Sequence, residues 1–210
     1  MTHLKFQSCC FSFLFLIVCV APVKAQQTTY LPVHFLYGSR PVQKYKFMEN
    51  YWFGGKLGGH VGIEIDSNKI LNFVHQGSFH LLSSRNKHSH YIISSRSGFN
   101  SILGGDSNKV KTVTILIPVK EEQQKKLDSI AKTYLAESPY DYAFLGMRCG
   151  AASYELLAQL GILPEYSRSK TSLKIFYPKI LRKQLLRKAR ENGWQTIREN
   201  GSDRRVWEKD

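Results

Sequence analysis

One cysteine, in the stretch "GMRCGAASYELL" (residues 146–157), is a candidate nucleophile. Cys149 lies at the predicted start of a helix, where unpaired backbone N–H groups and the helix dipole favour a thiolate. Arg148 adds positive charge beside it. A thiolate in this position could attack a carbonyl carbon, and the same N–H groups could hold the resulting oxyanion. The alternative interpretation is a small buried hydrophobic residue, which is common for free cysteine.

A nucleophilic cysteine needs a base, and histidine is the usual one. His60 is the preferred candidate because it opens a predicted strand directly after Gly58-Gly59, where glycine lets another segment approach closely. His34 lies in a strand and is interpreted as a core histidine. The pattern "HSH" (88–90) is a weak metal signal because no further ligands follow at a fixed spacing. The other histidines are His3, His75 and the predicted solvent-facing loop residues His80, His88 and His90.

The third member of the site follows from a predicted hairpin. The strands "HVGIEID" and "KILNFVHQG" flank a turn at "DSNK", and a tight pairing places His60 opposite His75. In that register His75 orients His60, Glu64 is an alternative on the same face, and Asn72 points to the core. A slip of one residue would reverse these faces.

The order of predicted elements indicates an α+β fold with an antiparallel sheet packed against helices, since strands come first and helices follow without βαβ alternation. Helical periodicity begins near Glu121, near Cys149 and at Pro178, and the third helix ends at Asn192. Alternation at Val113, Ile115 and Ile117 predicts a half-buried strand. Asn200-Gly201 lies between two strand-like runs and predicts a C-terminal hairpin.

The N-terminus is typical of a cleavable secretory signal peptide. A positive start, the apolar run "CCFSFLFLIVCVAPV" and the ending "VKA" predict cleavage after Ala25. The apolar run is short for a bilayer span, which takes about 20 residues. Cleavage removes Cys9, Cys10 and Cys19, so Cys149 has no disulfide partner within the chain. We expect a secreted or periplasmic protein; a lipoprotein attached at Cys19 is disfavoured because Val18 is large.

The chain is strongly basic, with a formal net charge of +14. Residues 166–210 contain 13 Lys or Arg against 5 Asp or Glu. This charge favours an anionic partner, and for a secreted protein a cell-wall or membrane surface ranks above nucleic acid. The alternative interpretation is a solvent-exposed basic helix that aids solubility and binds no partner. The predicted organisation is a catalytic domain over residues 26–165, with residues 166–210 forming a basic helix and hairpin packed on it.

Two segments resemble a known family. "GGHVGIEID" and the later "SPYDYAFLGMRCGAASYELL" are similar to the permuted papain-like amidases of the NlpC/P60 superfamily, the YaeF/YiiX type, and more distantly to the lecithin:retinol acyltransferase group. The resemblance covers residues 31 to 163 and implies a circularly permuted papain-like fold. It matches Cys149 to the nucleophile and His60 to the base. His75 matches the third polar residue, where the family often has glutamate, and Gly150-Ala151 departs from a Cys-Ser-Glu continuation.

The expected function is a cysteine hydrolase of amide bonds that acts through a thioester, with Cys149, His60 and His75 as catalytic residues. The resemblance implies a cell-wall peptide or an acylated lipid or amino acid as substrate. Acyl transfer would use the same residues. No metal or organic cofactor is implied. The competing hypothesis is an inactive papain-like binding module that delivers the basic segment to an anionic surface.

Overall fold

A computed structural model describes residues 29–51, 55–77, 80–84 and 89–210. The predicted signal peptide lies outside these residues. The fold is α+β, with an antiparallel sheet packed against helices. Every helix and strand that the structure describes lies within residues 29–210. In this part of the chain, no helix is both long enough and apolar enough to cross a bilayer.

Six strands form the main sheet and two form a small one. The strands are β1 (Thr29–Leu36), β2 (Ser39–Pro41), β3 (His60–Asp66), β4 (Lys69–His75), β5 (Ser89–Ser94), β6 (Thr112–Val119), β7 (Thr196–Glu199) and β8 (Arg205–Trp207). The main sheet has the order β5-β4-β3-β1-β6-β7, and β2 pairs with β8. All the pairings are antiparallel.

Within the described ranges, five α-helices connect and cover the strands: α1 (Arg96–Ser101), α2 (Glu121–Ala136), α3 (Cys149–Gln159), α4 (Arg168–Lys174) and α5 (Pro178–Asn192). The periodicity-based predictions for α2, α3 and α5 are confirmed. Helix α5 begins with proline, whose fixed φ suits the first turn. It ends at Gly193, which has the left-handed φ of 68° that favours glycine.

The main sheet has an apolar cluster on each face. Val61, Ile63 and Leu71 belong to the larger cluster, which also contains side chains from α2, α3 and α5. Phe99 of α1 and Ile70 belong to the smaller cluster on the opposite face. Because side chains alternate along a strand, His60, Gly62 and Glu64 lie on the face that α1 covers.

The predicted C-terminal hairpin is wrong. β7 pairs with β6 at the edge of the main sheet, whereas β8 pairs with β2. Neither Asn200 nor Gly201 has the positive φ that a two-residue hairpin turn needs. The indole of Trp207 instead packs against Gly201, where a Cβ would lie 2.2 Å from the ring. Its Nε1 donates a hydrogen bond to the carbonyl of Ser202. These contacts hold the segment between β7 and β8 in a conformation other than a hairpin turn.

The C-terminal residues are bound to the body by a buried arginine. Arg182 of α5 is fully buried and forms ion pairs with Glu208 at 2.7 Å and Asp210 at 3.0 Å. Its guanidinium also stacks over the ring of Tyr37, 3.8 Å from the centroid. Glu208 accepts a second hydrogen bond from the backbone N–H of Gly38. These contacts join the last residues to α5 and to the segment after β1.

Candidate active site

Cys149 is the first residue of α3, as the sequence predicts. Its side chain is buried, with 3% exposed, and it forms part of a cavity wall. The next residue must be small, because a Cβ at Gly150 would lie 3.1 Å from Cα of Pro178. The start of α5 thus packs directly on the start of α3, which gives a physical reason for glycine at this position.

His60 is the first residue of β3 and is 6% exposed. The preceding Gly59 has a φ of 80°, and a Cβ there would lie 2.6 Å from the carbonyl oxygen of Leu36. Glycine is therefore required for β1 and the start of β3 to approach each other. The ring of His60 packs on Phe99, with 5.4 Å between centroids.

The predicted hairpin register is wrong by one residue. Asp66 pairs with Lys69 as predicted, but a β-bulge between Glu64 and Asp66 shifts the remaining pairs, so that Gly62 lies opposite Asn72. The extra residue moves the whole of β4 to the other face relative to β3. Asn72 consequently shares a face with His60 instead of pointing to the opposite core.

Asn72, and not the opposed residue His75 that the sequence predicted, binds His60. Its Oδ1 accepts a hydrogen bond from Nε2 of His60 at 3.0 Å. Its amide nitrogen donates to the carbonyl of Ile70 at 3.1 Å and to Oγ of Ser94 at 3.1 Å, which fixes the direction of the amide. His75 pairs with Ser89 of β5, is exposed and lies in the cavity wall near Tyr142.

Cys149 and His60 lie close enough for each side chain to shift the pKa of the other. Because Nε2 is engaged by Asn72, Nδ1 is the ring nitrogen that remains for the thiol. Burial by itself raises the pKa of Cys149, but the charge of His60 and hydrogen bonds from His60, Tyr142 and the N–H of Gly150 lower that pKa below its ordinary value. Burial lowers the pKa of His60, and Cys149 and Asn72 together raise it above its ordinary value. These opposite shifts favour a thiolate–imidazolium pair.

Tyr142 is a further polar neighbour of the sulfur. Its hydroxyl donates to Sγ of Cys149 at 3.8 Å and accepts from the backbone N–H of the same residue. Burial and the negative sulfur raise the pKa of Tyr142 well above its ordinary value, so the hydroxyl keeps its proton. A protonated hydroxyl and a helix-start N–H therefore lie together beside the sulfur.

The cavity beside the sulfur has a volume of about 630 Å³. Its wall includes Phe73, Phe144, Phe176 and Tyr177, so most of it is apolar. Arg148 contributes a charge: its guanidinium is 7% exposed and lies 3.4 Å from the ring centroid of Phe176. Its Nε and Nη2 have no hydrogen-bond partner, and the aromatic face supplies the favourable electrostatic contact.

The other histidines that the structure describes have separate environments. His34 is buried and binds Thr114 through Nδ1 and Glu64 through Nε2 at 2.6 Å, consistent with a core histidine. Glu64, the alternative orienting residue, is thus engaged by His34 and also by Arg96. His80 was expected to face solvent, but its Nδ1 lies 2.6 Å from the buried carboxylate of Asp141.

Of the two histidines in the "HSH" pattern, His88 lies outside the described residues. His90 lies in β5 and pairs with Val74 of β4. Among the residues whose placement is described, no three His, Cys, Asp or Glu side chains are grouped so that they could hold a metal ion.

The sequence predicted that Cys149 and His60 lie together, but it did not predict that Asn72 and Tyr142 contact them. Asn72 was assigned to the wrong face because the bulge was not foreseen. Tyr142 lies in the segment "SPYDYAFLGMRCGAASYELL", seven residues before the cysteine, but the sequence predicts no role for it. Comparison with known protein families, with characterised proteins and with solved structures finds no match for this chain.

Proposed function

We propose that this protein is a cysteine hydrolase of amide bonds, built on a circularly permuted papain-like fold and acting outside the cytoplasm after removal of a signal peptide. The observation that carries the proposal is the buried pair of Cys149 and His60, with the pKa of the thiol lowered and the pKa of the imidazole raised. A buried cysteine without a catalytic role would instead have its pKa raised by the apolar surroundings.

The thiolate of Cys149 attacks the carbonyl carbon of the amide, and a C–S bond forms while the carbonyl oxygen becomes negative. The hydroxyl of Tyr142 and the N–H groups at the start of α3 lie beside the sulfur and supply the hydrogen bonds to this oxyanion. The imidazolium of His60 then gives its proton to the leaving nitrogen, and the C–N bond breaks to leave a thioester.

Water resolves the thioester in the second half of the reaction. His60, now neutral, takes a proton from water, and the hydroxide attacks the thioester carbon. The C–S bond breaks, the acid is released and the thiolate is restored beside the imidazolium. In both halves Asn72 holds the ring, because its Oδ1 can accept only from a protonated Nε2. That contact keeps Nδ1 directed at the sulfur.

The test is to trap the acyl-enzyme. Residues 26–210 would be incubated with an activated acyl ester, and the intact mass would be followed over time. A transient acyl adduct on Cys149 that decays to free enzyme supports the proposal, with Cys149→Ala giving no adduct and His60→Ala forming it slowly. A chain that is folded but never acylated would favour the inactive binding module.

A further inference from the structure

Several large apolar side chains are exposed in the segments around Phe144, a residue of the cavity wall. Leu81 is 62% exposed, Leu82 64% and Leu145 52%. Phe144 is 41% exposed and is also part of the cavity wall. Apolar side chains gathered at one place on a surface usually mark a site of interaction, whereas single ones need no explanation.

Backbone contacts hold these side chains together. The N–H of Phe144 donates to the carbonyl of His80 at 2.8 Å, and the N–H of Leu145 donates to that of Leu81 at 2.9 Å. Phe144 also contacts Phe176 edge to face, with 5.2 Å between centroids. Phe176 follows the end of α4, on which Leu173 is 72% exposed. We call this set the apolar rim: Leu81, Leu82, Phe144, Leu145 and Leu173.

The segment next to the apolar rim is positively charged. Residues 167–184 contain six Lys or Arg and no Asp or Glu. Arg168 and Arg182 are held in ion pairs with acidic residues elsewhere in the chain. Lys170 and Lys174 are exposed, and each ammonium lies over the ring of Tyr166, at 4.7 and 4.9 Å. Exposed apolar residues beside cations are the combination that binds anionic lipid surfaces.

We infer that the apolar rim, with Lys170 and Lys174, docks the protein on a bilayer that contains anionic lipid, so that the cavity opens against the membrane. Leucine and phenylalanine side chains enter the boundary between headgroups and acyl chains, while the lysines contact lipid phosphates. Lys170, Leu173 and Lys174 belong to the basic C-terminal segment (residues 166–210) that the sequence suggested. The other members of the apolar rim lie outside that segment, and one of them, Phe144, is part of the cavity wall.

One consequence of docking rests on the proposed function: a substrate with an apolar group would reach Cys149 directly from the bilayer. The mostly apolar cavity wall suits such a group. Docking itself depends on exposure and charge alone, so it can be tested without any turnover.

The test is co-sedimentation of residues 26–210 with vesicles of phosphatidylcholine and phosphatidylglycerol, and with pure phosphatidylcholine vesicles. We expect binding to the anionic vesicles that weakens with salt. Leu81→Ser combined with Leu82→Ser should weaken it by about tenfold, since each leucine loses part of its transfer free energy. Lys170→Gln combined with Lys174→Gln should weaken it by about 25-fold, at roughly fivefold per lysine.

The matched controls remove an exposed apolar residue and two cations elsewhere. Ile197→Ser replaces an apolar residue of the edge strand β7 that is 45% exposed. Lys183→Gln combined with Arg187→Gln lies on the outer side of α5. Both should bind vesicles like the unchanged protein. Loss of binding in these controls but not in the rim variants would overturn the inference, as would binding to cell-wall sacculi with none to vesicles.

Alkylation of Cys149 measured on the same variants separates the two proposals. All substitutions are at exposed positions, so folding should change by less than about 0.5 kcal/mol. If vesicle binding depends on the apolar rim but the thiol of Cys149 is unreactive, the docking proposal stands and the hydrolase proposal is wrong. If the thiol is reactive but the protein does not bind vesicles, the hydrolase proposal stands and the docking proposal is wrong.

Discussion

Nε2 of His60 lies 3.0 Å from Oδ1 of Asn72, across two neighbouring strands of the main sheet. This contact directs the other ring nitrogen to Cys149 and assigns the orienting role to an amide. Replacing the amide and replacing the histidine that sequence reasoning favoured should therefore have different effects.

Asn72→Ala should raise the apparent pKa of the Cys149 thiol, because the amide supports the imidazolium that lowers it. The ring loses its fixed orientation and the imidazolium loses an acceptor. Stability should fall by about 1–3 kcal/mol, because buried partners of the amide are left without a hydrogen bond. His75→Ala is the control and should leave the thiol pKa close to that of the unchanged protein. The reverse pattern in pH-dependent alkylation would restore His75 to the orienting role.

The difference between these two residues shows what sequence patterns can and cannot predict. Periodicity located α2, α3 and α5 because each helix repeats its apolar face over three or more turns. It also placed Cys149 at a helix start, since that boundary depends on local signals. The partner of His60 depends instead on strand register, which the single bulge between Glu64 and Asp66 reverses. Nothing in the composition of "HVGIEID" distinguishes the bulged strand from a regular one.

The separation of β7 from β8 was unpredictable for a related reason. Asn200-Gly201 is a strong local signal for a turn, but the distant contacts of each strand decide its partner. β7 completes the main sheet beside β6, and β8 binds the short β2. The buried pairs of Arg182 then bring the last residues against the body, and these ion pairs join residues that the sequence pattern does not link.

Tyr142→Phe should raise the pKa of the thiol, because the sulfur loses a hydroxyl donor. We expect alkylation at neutral pH to be about tenfold slower, since one pKa unit changes the thiolate fraction by up to about tenfold. The melting temperature should change little because the ring itself remains. If the hydroxyl also holds the oxyanion, acylation should fall by about 10²-fold, more than alkylation does. If the rates of alkylation and acylation fall equally, the hydroxyl of Tyr142 does not hold the oxyanion.

Gly62→Ala should destabilise the protein by about 1–3 kcal/mol, the usual cost of overpacking a core. A Cβ at this position would lie 2.5 Å from Cγ2 of Ile70 and 2.8 Å from Cε2 of Phe99. Phe99 would have to move, and it is the ring on which His60 packs. Gly98→Ala in α1 is the control: its Cβ would lie 3.3 Å from Oγ of Ser95 and touch no backbone, so stability should change by less than about 1 kcal/mol. Urea unfolding of both variants measures the difference.

Glu208→Ala should destabilise the protein by about 3–5 kcal/mol, because it leaves the buried guanidinium of Arg182 with fewer acceptors. The backbone N–H of Gly38 loses its acceptor as well. The control is Arg187→Ala, which breaks an exposed ion pair with Glu191 and should cost less than about 1 kcal/mol. Similar unfolding free energies for the two variants would contradict a structural role for the C-terminal residues.

The pH dependence expected of the proposed hydrolase follows from the two groups with shifted pKa values, Cys149 and His60. The thiolate is present once the pH exceeds the lowered pKa of Cys149, and the imidazolium persists until the pH exceeds the raised pKa of His60. Between these limits the ion pair also stabilises the fold. That contribution falls as pH drops through the folded-state pKa of Cys149, and again as pH rises through that of His60. A bell-shaped activity profile with a broad plateau is expected.

The rate of iodoacetamide reaction with Cys149, measured against pH in native and urea-unfolded protein, tests the central claim most directly. We predict that the native thiol titrates well below the unfolded one, whose pKa should be near 8.5, and that His60→Ala removes the difference. A native thiol that titrates at or above the unfolded value, or that reacts only after unfolding, would contradict the thiolate–imidazolium pair and the hydrolase built on it.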